Sequence, residues 1–169
     1  MFTRAQLILN PAAAGGRNRG GQVRSLQRLL LARGIRTQVV QTTAPGHARA
    51  LAAGVGTGPG CLDLLIAGGG DGTIGEIADG LRRSAAPLTP VLVAPLGTGN
   101  DVARLLGTAC DGGLAGALDV PRPVDWDTLE IVSGAGRGRG LLFGACGFST
   151  DLLRLTTPRV KRWCGARLA

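Results

Sequence analysis

Short apolar runs alternate along the first two thirds of the chain with segments of helical spacing. Three such runs, residues 5–9, 62–66 and 91–94, are predicted to be strands, and a further strand is predicted over IRTQVVQ at residues 35–41. The run at residues 62–66 is followed by apolar residues at i, i+3, i+4 and i+7, namely Ile74, Ile77, Ala78 and Leu81. This spacing predicts a helix that begins near Thr73. Strands that alternate with helices in this way predict an α/β fold with a parallel sheet and right-handed crossovers.

Two further helices are predicted between the first three strands. One extends from about residue 21 to residue 33 and is ended by Gly34. The other lies within PGHARALAAGV, residues 45–55, and starts near His47. A single histidine at a helix start is more often a solvated or capping side chain than a site residue, and we favour that interpretation for His47.

The pattern changes after residue 123. Residues 124–132 alternate apolar and polar positions, SGAGRGRG at 133–140 is predicted to turn, and the apolar run 141–148 returns. This is the pattern of an antiparallel hairpin. We therefore predict a first domain over residues 1–123 and an incomplete β segment over residues 124–169.

Three glycines, residues 68–70, separate the third strand from its helix. Glycines here let a ligand approach the backbone, and the free amides at the helix start favour an anion, so the segment is typical of a phosphate cradle. Asp71 in this loop suits a magnesium ion that bridges to phosphate. The alternatives are structural: a tight turn, an Asx turn at Asp71, and a capping box formed by Thr73 and Glu76.

A second glycine-rich turn follows the fourth strand, in PLGTGNDVARLLG at residues 95–107. It offers Thr98, Asn100 and Asp101 as a hydroxyl, an amide and a carboxylate. Because the carboxyl ends of parallel strands meet at one edge of a sheet, the two turns imply one shared pocket. Asp101 also fits a helix N-cap, a role that is compatible with ligand positioning.

Composition adds limits to this picture. The chain has 169 residues and a net charge of +8, carried by 18 arginines and one lysine, which fits nucleotides, anionic lipid headgroups or nucleic acid, although biased codon usage explains dispersed arginine equally well. Four distant cysteines with no Cys-x-x-Cys pair predict reduced, mostly packed thiols rather than a zinc site. The absence of a signal-peptide pattern and of a long apolar run predicts a cytoplasmic protein whose membrane contact is peripheral.

Two common nucleotide-binding patterns are incomplete. Residues 70–75 match Gly-x-Gly-x-x-Gly, but the next strand ends in Pro95 rather than in the acid that would bind a ribose. The Walker lysine is missing as well, since Lys161 is the only lysine. Charge neutralisation would therefore come from backbone amides, arginine and metal.

Three motifs together resemble the catalytic domain of the diacylglycerol kinase and sphingosine kinase family, most closely that of bacterial lipid kinases. They are Asn10-Pro11 with its glycine loop, GGDGT at residues 69–73 with Glu76, and PLGTGND at residues 95–101. GGDGT is shared with NAD kinases and related phosphofructokinases, so PLGTGND is the more discriminating motif. The resemblance implies a Rossmann-like sheet with helices on both faces, as in the N-terminal domains of NAD kinases and diacylglycerol kinases.

The same resemblance implies that ATP and Mg²⁺ bind to the first domain. The implied nucleotide contacts are Asn10, Thr43, Gly69, Gly70, Asp71, Gly72, Thr73, Ile74, Gly75 and Thr98. Asp71 and Asp101 would support catalysis through metal and phosphate geometry, and Asp71 would bind the metal. Gly75 departs from the family, which commonly has asparagine there.

Family members continue into a β-sandwich that carries the acceptor pocket and a glutamate acting as general base. This sequence resembles only the beginning of that domain, and its only glutamates are Glu76 and Glu130. The resemblance therefore implies the nucleotide-binding part of an ATP-dependent lipid kinase of phospholipid metabolism, with the general base absent. Its implied partners are ATP and a lipid acceptor at the inner face of the membrane; nucleic acid is not expected.

Two other functions stay open at this stage. The first is a non-catalytic nucleotide-binding module that depends on a partner, and the edge of the unfinished hairpin would allow a homodimer. The second is an NAD kinase, which PLGTGND disfavours.

Overall fold

The computed structural model describes residues 2–13, 19–133 and 136–141. The chain divides into two compact units, Met1–Pro123 and Val124–Ala169. Most of the predicted return strand, from residue 142 to residue 148, lies outside the described residues, as do residues 149–169.

The first unit is built on a four-stranded parallel sheet. Its strands are β1 (Arg4–Leu9), β2 (Arg36–Gln41), β3 (Leu64–Gly69) and β4 (Val91–Pro95). They lie in the order β2-β1-β3-β4. The predicted parallel sheet is confirmed, and β3 is buried at all six of its positions, as expected for an apolar run near the middle of such a sheet.

Five helices accompany the sheet in the described part of this unit. They are α1 (Arg19–Leu31), α2 (His47–Ala53), α3 (Asp71–Leu81), α4 (Asp101–Leu105) and α5 (Gly113–Asp119). The helix predicted to start near Thr73 is confirmed as α3, which begins two residues earlier. Gly70 is extended (φ −91°, ψ −178°) and forms the N-cap, so Asp71 is already the first helical residue.

The core is divided by the sheet into two faces. On one face, alternate side chains of the strands pack with Leu26 and Leu30 of α1 and with Leu118 of α5. The other strand positions point to the opposite face, where α2 and α3 pack closely on each other. A Cβ on Gly80 of α3 would lie 2.2 Å from the carbonyl oxygen of Arg49, so glycine is required for this helix contact.

An ion pair joins α5 to the turn that follows α1. Arg33 Nε lies 2.7 Å from Asp119 Oδ1, and Arg33 Nη2 lies 2.8 Å from Asp119 Oδ2. These side-chain hydrogen bonds lower the pKa of Asp119 and raise the pKa of Arg33. The bidentate geometry fixes the end of α5 near the end of α1.

The strand order creates a crevice at the carboxyl edge of the sheet. The chain passes from β1 to β2 on one side and then returns to place β3 on the other side of β1. The loops after β1 and β3 therefore diverge toward opposite faces. Such a switch point is where open α/β sheets bind ligands.

The second unit contains an antiparallel hairpin of β5 (Leu129–Ser133) and β6 (Gly136–Gly140). The prediction that SGAGRGRG is only a turn is therefore wrong. Glu130 of β5 pairs across the hairpin with Arg139 at 2.8 Å and with Arg137 at 3.7 Å. These cross-strand pairs stabilise a strand whose glycine content predicts a turn.

Asp63 joins the starts of β1 and β3. Its carboxylate accepts hydrogen bonds from the Thr3 and Arg4 amides at 2.8 and 3.0 Å, and from the Thr3 hydroxyl at 2.9 Å. Partial burial by itself would raise the pKa of Asp63. The hydrogen bonds outweigh it and lower the pKa of Asp63 below its ordinary value.

We expect Asp63→Asn to lower the free energy of unfolding by about 1 kcal/mol at pH 7. Because the pKa of Asp63 is lower in the folded protein than in the unfolded chain, this stabilisation is present above the unfolded pKa. It is lost as the pH falls through the folded pKa, so the deficit of the variant should shrink below about pH 4.

Urea unfolding at pH 7 and pH 3 measures this deficit. Asp111→Asn is the control, because Asp111 is exposed and makes no hydrogen bond among the described residues. An Asp63→Asn deficit of equal size at both pH values would contradict the assigned cause.

Candidate functional site

The predicted site residues lie mainly in loops at the carboxyl edge of the parallel sheet. Asn10 follows β1, Thr43 follows β2, the segment 70–73 follows β3, and the segment 96–101 follows β4. Each strand ends in, or is followed directly by, a glycine, a proline or a polar residue.

The loops after β1 and β3 are joined by Asn10. Its Nδ2 donates to Thr73 Oγ1 at 2.9 Å, and its backbone amide donates to the Gly68 carbonyl oxygen at 2.9 Å. Asn10 Oδ1 accepts from the Ala12 amide at 2.9 Å, which holds the turn after Pro11. Asn10 and Thr73 therefore span the switch point as one hydrogen-bonded pair.

The loops after β3 and β4 touch through glycine backbones. A Cβ on Gly97 would lie 2.3 Å from Gly70 Cα and 2.8 Å from Gly70 N. Real Cβ atoms do not approach so closely, so a side chain at Gly97 would force the loops apart. The predicted convergence of the two glycine turns is therefore present in the fold.

Asp71 adds a polar link between the same loops. Its Oδ2 accepts from the Asp101 amide at 3.2 Å, and its Oδ1 accepts from the Val102 amide at 3.0 Å. Asp71 thereby satisfies two amides in the first turn of α4, a task that an N-cap residue usually performs. The predicted alternative of a local Asx turn at Asp71 is wrong, because its acceptors serve the other loop.

Asp101 is not the N-cap of α4. The N-cap is Asn100, and Asp101 is the first helical residue, whose carboxylate pairs with Arg104. Sequence reasoning named Asn100 only as an available amide and missed its structural role. Asn100 is the one non-glycine residue with positive φ (57°) among the described residues, and this left-handed conformation is one that asparagine tolerates well.

The side chain of Asn100 closes the β4 loop on itself. Its Oδ1 accepts from the Gly97 amide at 2.8 Å, and its Nδ2 donates to the Gly97 carbonyl oxygen at 2.9 Å. Both polar groups of Gly97 are thus occupied by one amide. Thr98 lies half-buried within this closed turn.

The two aspartates flank Gly99. A Cβ at Gly99 would lie 3.2 Å from Asp71 Oδ2 and 3.7 Å from Asp101 Oδ2. Magnesium in phosphate-transferring sites is commonly held by one or two carboxylates together with phosphate oxygens, so this pair fits such an ion. Within residues 2–13, 19–133 and 136–141, no group of three or more metal-ligating side chains occurs.

The start of α3 supplies donors for an anion. The amides of Asp71 and Gly72 have no acceptor among the described residues, because they precede the first intrahelical bonds of α3. A Cβ at Gly72 would meet nothing within 4 Å, so the surface above these amides is open. Amides of this kind at the end of an 11-residue helix fit phosphate oxygens.

The predicted capping box of Thr73 and Glu76 is wrong. Thr73 Oγ1 is bonded to Asn10, and Glu76 Oε1 accepts from the Gly46 amide at 2.9 Å. Glu76 therefore connects α3 to the start of α2, which carries His47.

Three other predicted nucleotide contacts, Gly69, Ile74 and Gly75, have different surroundings. Ile74 is buried in the core, so its side chain is directed away from an open site. Gly75 has open space, since a Cβ there would meet nothing within 4 Å. Gly69 packs against Thr73, whose Oγ1 would lie 2.6 Å from a Cβ at that position.

Thr43 lies at the end of the outer strand β2 and contacts His47. His47 Nδ1 lies 3.1 Å from Thr43 N and 3.0 Å from Thr43 Oγ1. His47 was predicted to be a solvated or capping side chain. In the structure it is the first residue of α2 and contacts Thr43 in the preceding loop. No described hydrogen bond joins Thr43 to the two glycine loops.

Other predictions concern features outside the site. Cys110 is exposed, so the prediction of packed thiols is wrong at that position, whereas Cys61 is half-buried. The described helices include none with the length and apolar character needed to cross a bilayer.

Comparison with known proteins identifies the family of this chain. The family model of the diacylglycerol kinase catalytic domain matches residues 4–125. Sphingoid long-chain bases kinase 1 of Arabidopsis thaliana is 32% identical over a match covering 93% of this chain and 21% of that protein. The diacylglycerol kinase of Bacillus subtilis is 36% identical over 80% of this chain and 46% of that protein.

Solved structures show the same relationship. The crystal structure of a diacylglycerol kinase from Bacillus anthracis superposes with a TM-score of 0.60 at 26% identity, covering 80% of this chain and 45% of that one. The chain thus spans less than half the length of these curated relatives. Because the family model covers the whole sheet and both glycine loops, this chain belongs to the diacylglycerol kinase catalytic domain family.

Proposed function

We propose that this chain is the nucleotide-binding part of an ATP-dependent lipid kinase, which transfers the γ-phosphoryl group of ATP to a lipid hydroxyl. The observation that carries the proposal is the contact between the two glycine loops, Gly70 against Gly97, with Asp71 bonded to the start of α4. Together they place free helix amides and two carboxylates at one edge of the sheet.

The residues present fit a nucleotide and its metal. The amides of Asp71 and Gly72 would bind phosphate oxygens, and Asp71 and Asp101 would hold Mg²⁺. When bound, the metal supplies neutralisation of the charge that develops on the transferring phosphoryl group. Asn10, Thr73 and the Asn100 turn would keep the loops in place while this charge develops.

The transfer also requires a base for the lipid hydroxyl and a pocket for the lipid. A base that takes the proton of the attacking hydroxyl usually contributes a factor of about 10² to 10⁴. Both glutamates of the chain are engaged elsewhere: Glu76 binds Gly46, and Glu130 pairs with two arginines of the hairpin. We therefore propose that the base and the lipid pocket belong to a β-sandwich of which residues 124–169 are the beginning.

The names of the relatives support a lipid as the phosphoryl acceptor. The names of the matched proteins include diacylglycerol kinases and a sphingoid base kinase, both of which denote a lipid with a free hydroxyl. We propose a lipid acceptor of this class at the inner face of the membrane, with peripheral contact from a cytoplasmic chain. Self-association through the hairpin edge remains part of the same proposal.

We expect the purified chain to bind ATP in calorimetric titration, more tightly with Mg²⁺ than with EDTA, and to phosphorylate diacylglycerol in vesicles weakly or not at all. The reason is that the phosphate donors and carboxylates are present, whereas Glu76 and Glu130 are both engaged in other contacts. Thin-layer analysis of labelled lipid measures the transfer.

Three outcomes would contradict parts of this proposal. A lack of ATP binding with Mg²⁺ would remove the nucleotide site, and fast lipid phosphorylation would show that the base lies within this chain. Formation of NADP from NAD and ATP would indicate an NAD kinase instead.

A further inference from the structure

A small cavity lies beside α2 at the amino edge of the parallel sheet, the edge opposite the glycine loops. Its volume is about 180 Å³. It is bounded by Gln6 of β1, by Leu51 and Gly54 at the end of α2, and by Gly60 and Cys61 of the loop that leads to β3. The residues assigned to the nucleotide follow the other ends of the strands, so this β1–α2 cavity is separate from that site.

Two arginines lie side by side at the rim of the β1–α2 cavity. Arg4 of β1 and Arg36 of β2 are register partners, so their side chains project from one face of the sheet on strands about 4.8 Å apart. Arg4 and Gln6 are two positions apart on β1, which places both arginines on the face that bears the cavity. Arg4 also reaches the cavity wall, because its Nη1 donates to the Gly60 carbonyl oxygen at 2.7 Å.

The charge of this arginine pair is not neutralised by an acid within the part of the chain that the structure describes. Neither Arg4 nor Arg36 takes part in an ion pair there. The carboxylate of Asp63, at the same edge, accepts instead from Thr3 and from the Arg4 backbone amide. Like charges on neighbouring strands repel each other, so an anion between the two guanidinium groups would remove a repulsion that the fold leaves in place.

The interior of the cavity offers hydrogen-bond acceptors rather than positive charge. Helix α2 ends there with Gly54 as its C-cap. The carbonyl oxygens of Gly54 and Gly56, which both line the cavity, accept no hydrogen bond from the described residues. Carbonyl oxygens at a helix end attract hydroxyl groups and disfavour anions. A ligand would therefore place its anionic group against the arginines and its hydroxyl groups in the cavity.

We propose that the β1–α2 cavity is a second binding site, which takes a small phosphate monoester of a polyol. Guanidinium groups bind phosphate oxygens through paired N–H donors, which suits Arg4 and Arg36. The Gln6 amide and the glycine carbonyl oxygens would hold the hydroxyl groups. The volume of about 180 Å³ is well below the roughly 300 Å³ of the smallest typical ligand pockets, so a nucleotide does not fit.

The thiol of Cys61 reports occupancy, because it lines the cavity and is half-buried, whereas Cys110 is exposed. We expect saturating glycerol phosphate to slow alkylation of Cys61 by iodoacetamide by about threefold or more and to leave Cys110 unchanged. Mass spectrometry of the resulting peptides measures each cysteine separately. Glycerol lacks the phosphate and inorganic phosphate lacks the hydroxyl groups, so both serve as control ligands. No protection by glycerol phosphate, or equal protection by either control, would overturn the proposal.

Arg36→Gln tests the phosphate subsite in the intact chain. Arg36 is exposed and makes no side-chain hydrogen bond among the described residues, so the fold should be retained. We expect the affinity for glycerol phosphate, measured by calorimetry, to fall by about tenfold. Arg24→Gln is the control, because it removes the same charge from an exposed position of α1 on the other face of the sheet. Equal affinity in the two variants is the result that this assignment does not survive.

ATP distinguishes this site from the nucleotide site. Because the two lie at opposite edges of the sheet, we expect ATP with Mg²⁺ to leave protection of Cys61 by glycerol phosphate in place. Loss of that protection at saturating ATP would show that glycerol phosphate occupies the nucleotide site, against the proposal. An absence of ATP binding together with retained protection of Cys61 would overturn the proposed function alone.

Discussion

We expect Gly97→Ala to reduce ATP affinity by about 100-fold and the free energy of unfolding by about 1 to 3 kcal/mol. The added Cβ would lie 2.3 Å from Gly70 Cα, well inside the 3.5 to 4 Å at which carbon atoms attract each other. Its neighbour is backbone, so no rotamer change can remove the overlap. The loops must separate by about 1 Å, and misplacement of this size is known to cost about two orders of magnitude in catalytic sites.

Gly116→Ala is the matched control for this variant. Gly116 lies in α5, and a Cβ there would meet nothing within 4 Å. Because alanine favours a helix interior over glycine, this variant should be more stable than the wild type by up to about 1 kcal/mol and should bind ATP equally. Calorimetry and urea unfolding of both variants measure the two effects. A Gly97→Ala protein with wild-type ATP affinity would show that the loop contact is not part of the nucleotide site.

The strands could be predicted because their signal is local and strong. Strands β1, β3 and β4 are short apolar runs, which buried parallel strands require, whereas β2 mixes polar and apolar residues and has no buried position. The position of both glycine loops follows, since parallel strands share a carboxyl edge. The strand β6 lacks this signal: it is defined by its antiparallel pairing with β5, where Arg137 and Arg139 meet Glu130 across the hairpin rather than beside them in sequence.

The capping roles could not be predicted for a related reason. Capping patterns are defined among residues three or four apart, and Thr73 with Glu76 fits such a pattern. In the fold, Glu76 instead bonds Gly46, and Asp71 caps α4, each across 30 positions of sequence. The residue types indicated hydrogen bonding correctly, but the choice of partner depended on helices that meet only after the sheet has formed.

The PLGTGND motif does not by itself show which partner the side chain of Asn100 binds. A Gly-Asn pair before an aspartate indicates a turn, and the sequence offered the amide for a ligand. The fold uses both ends of that amide on Gly97, because the residue adopts positive φ and its side chain lies over the preceding backbone. The Asn100 amide therefore serves the closure of this turn.

Substitutions of Asp71 should have the second largest effect, and they separate its two roles. Asp71→Ala removes the partner of two α4 amides and a metal-binding carboxylate, so we expect a loss of about 1 to 2 kcal/mol in unfolding free energy and about 10- to 100-fold in affinity for ATP with Mg²⁺. Asp71→Asn keeps an acceptor for the closer amide, that of Val102 at 3.0 Å, but loses the charge. It should therefore recover part of the stability and none of the Mg²⁺-dependent affinity.

Asp101→Asn removes the other carboxylate without uncapping α4, so its stability should stay near that of the wild type while its dependence on Mg²⁺ weakens. Titrations with ATP in Mg²⁺ or EDTA, with urea unfolding of each variant, give both quantities. If Asp71→Asn binds ATP with Mg²⁺ as the wild type does while Asp71→Ala does not, Asp71 acts only as the cap that holds the second loop, and the metal must be bound elsewhere.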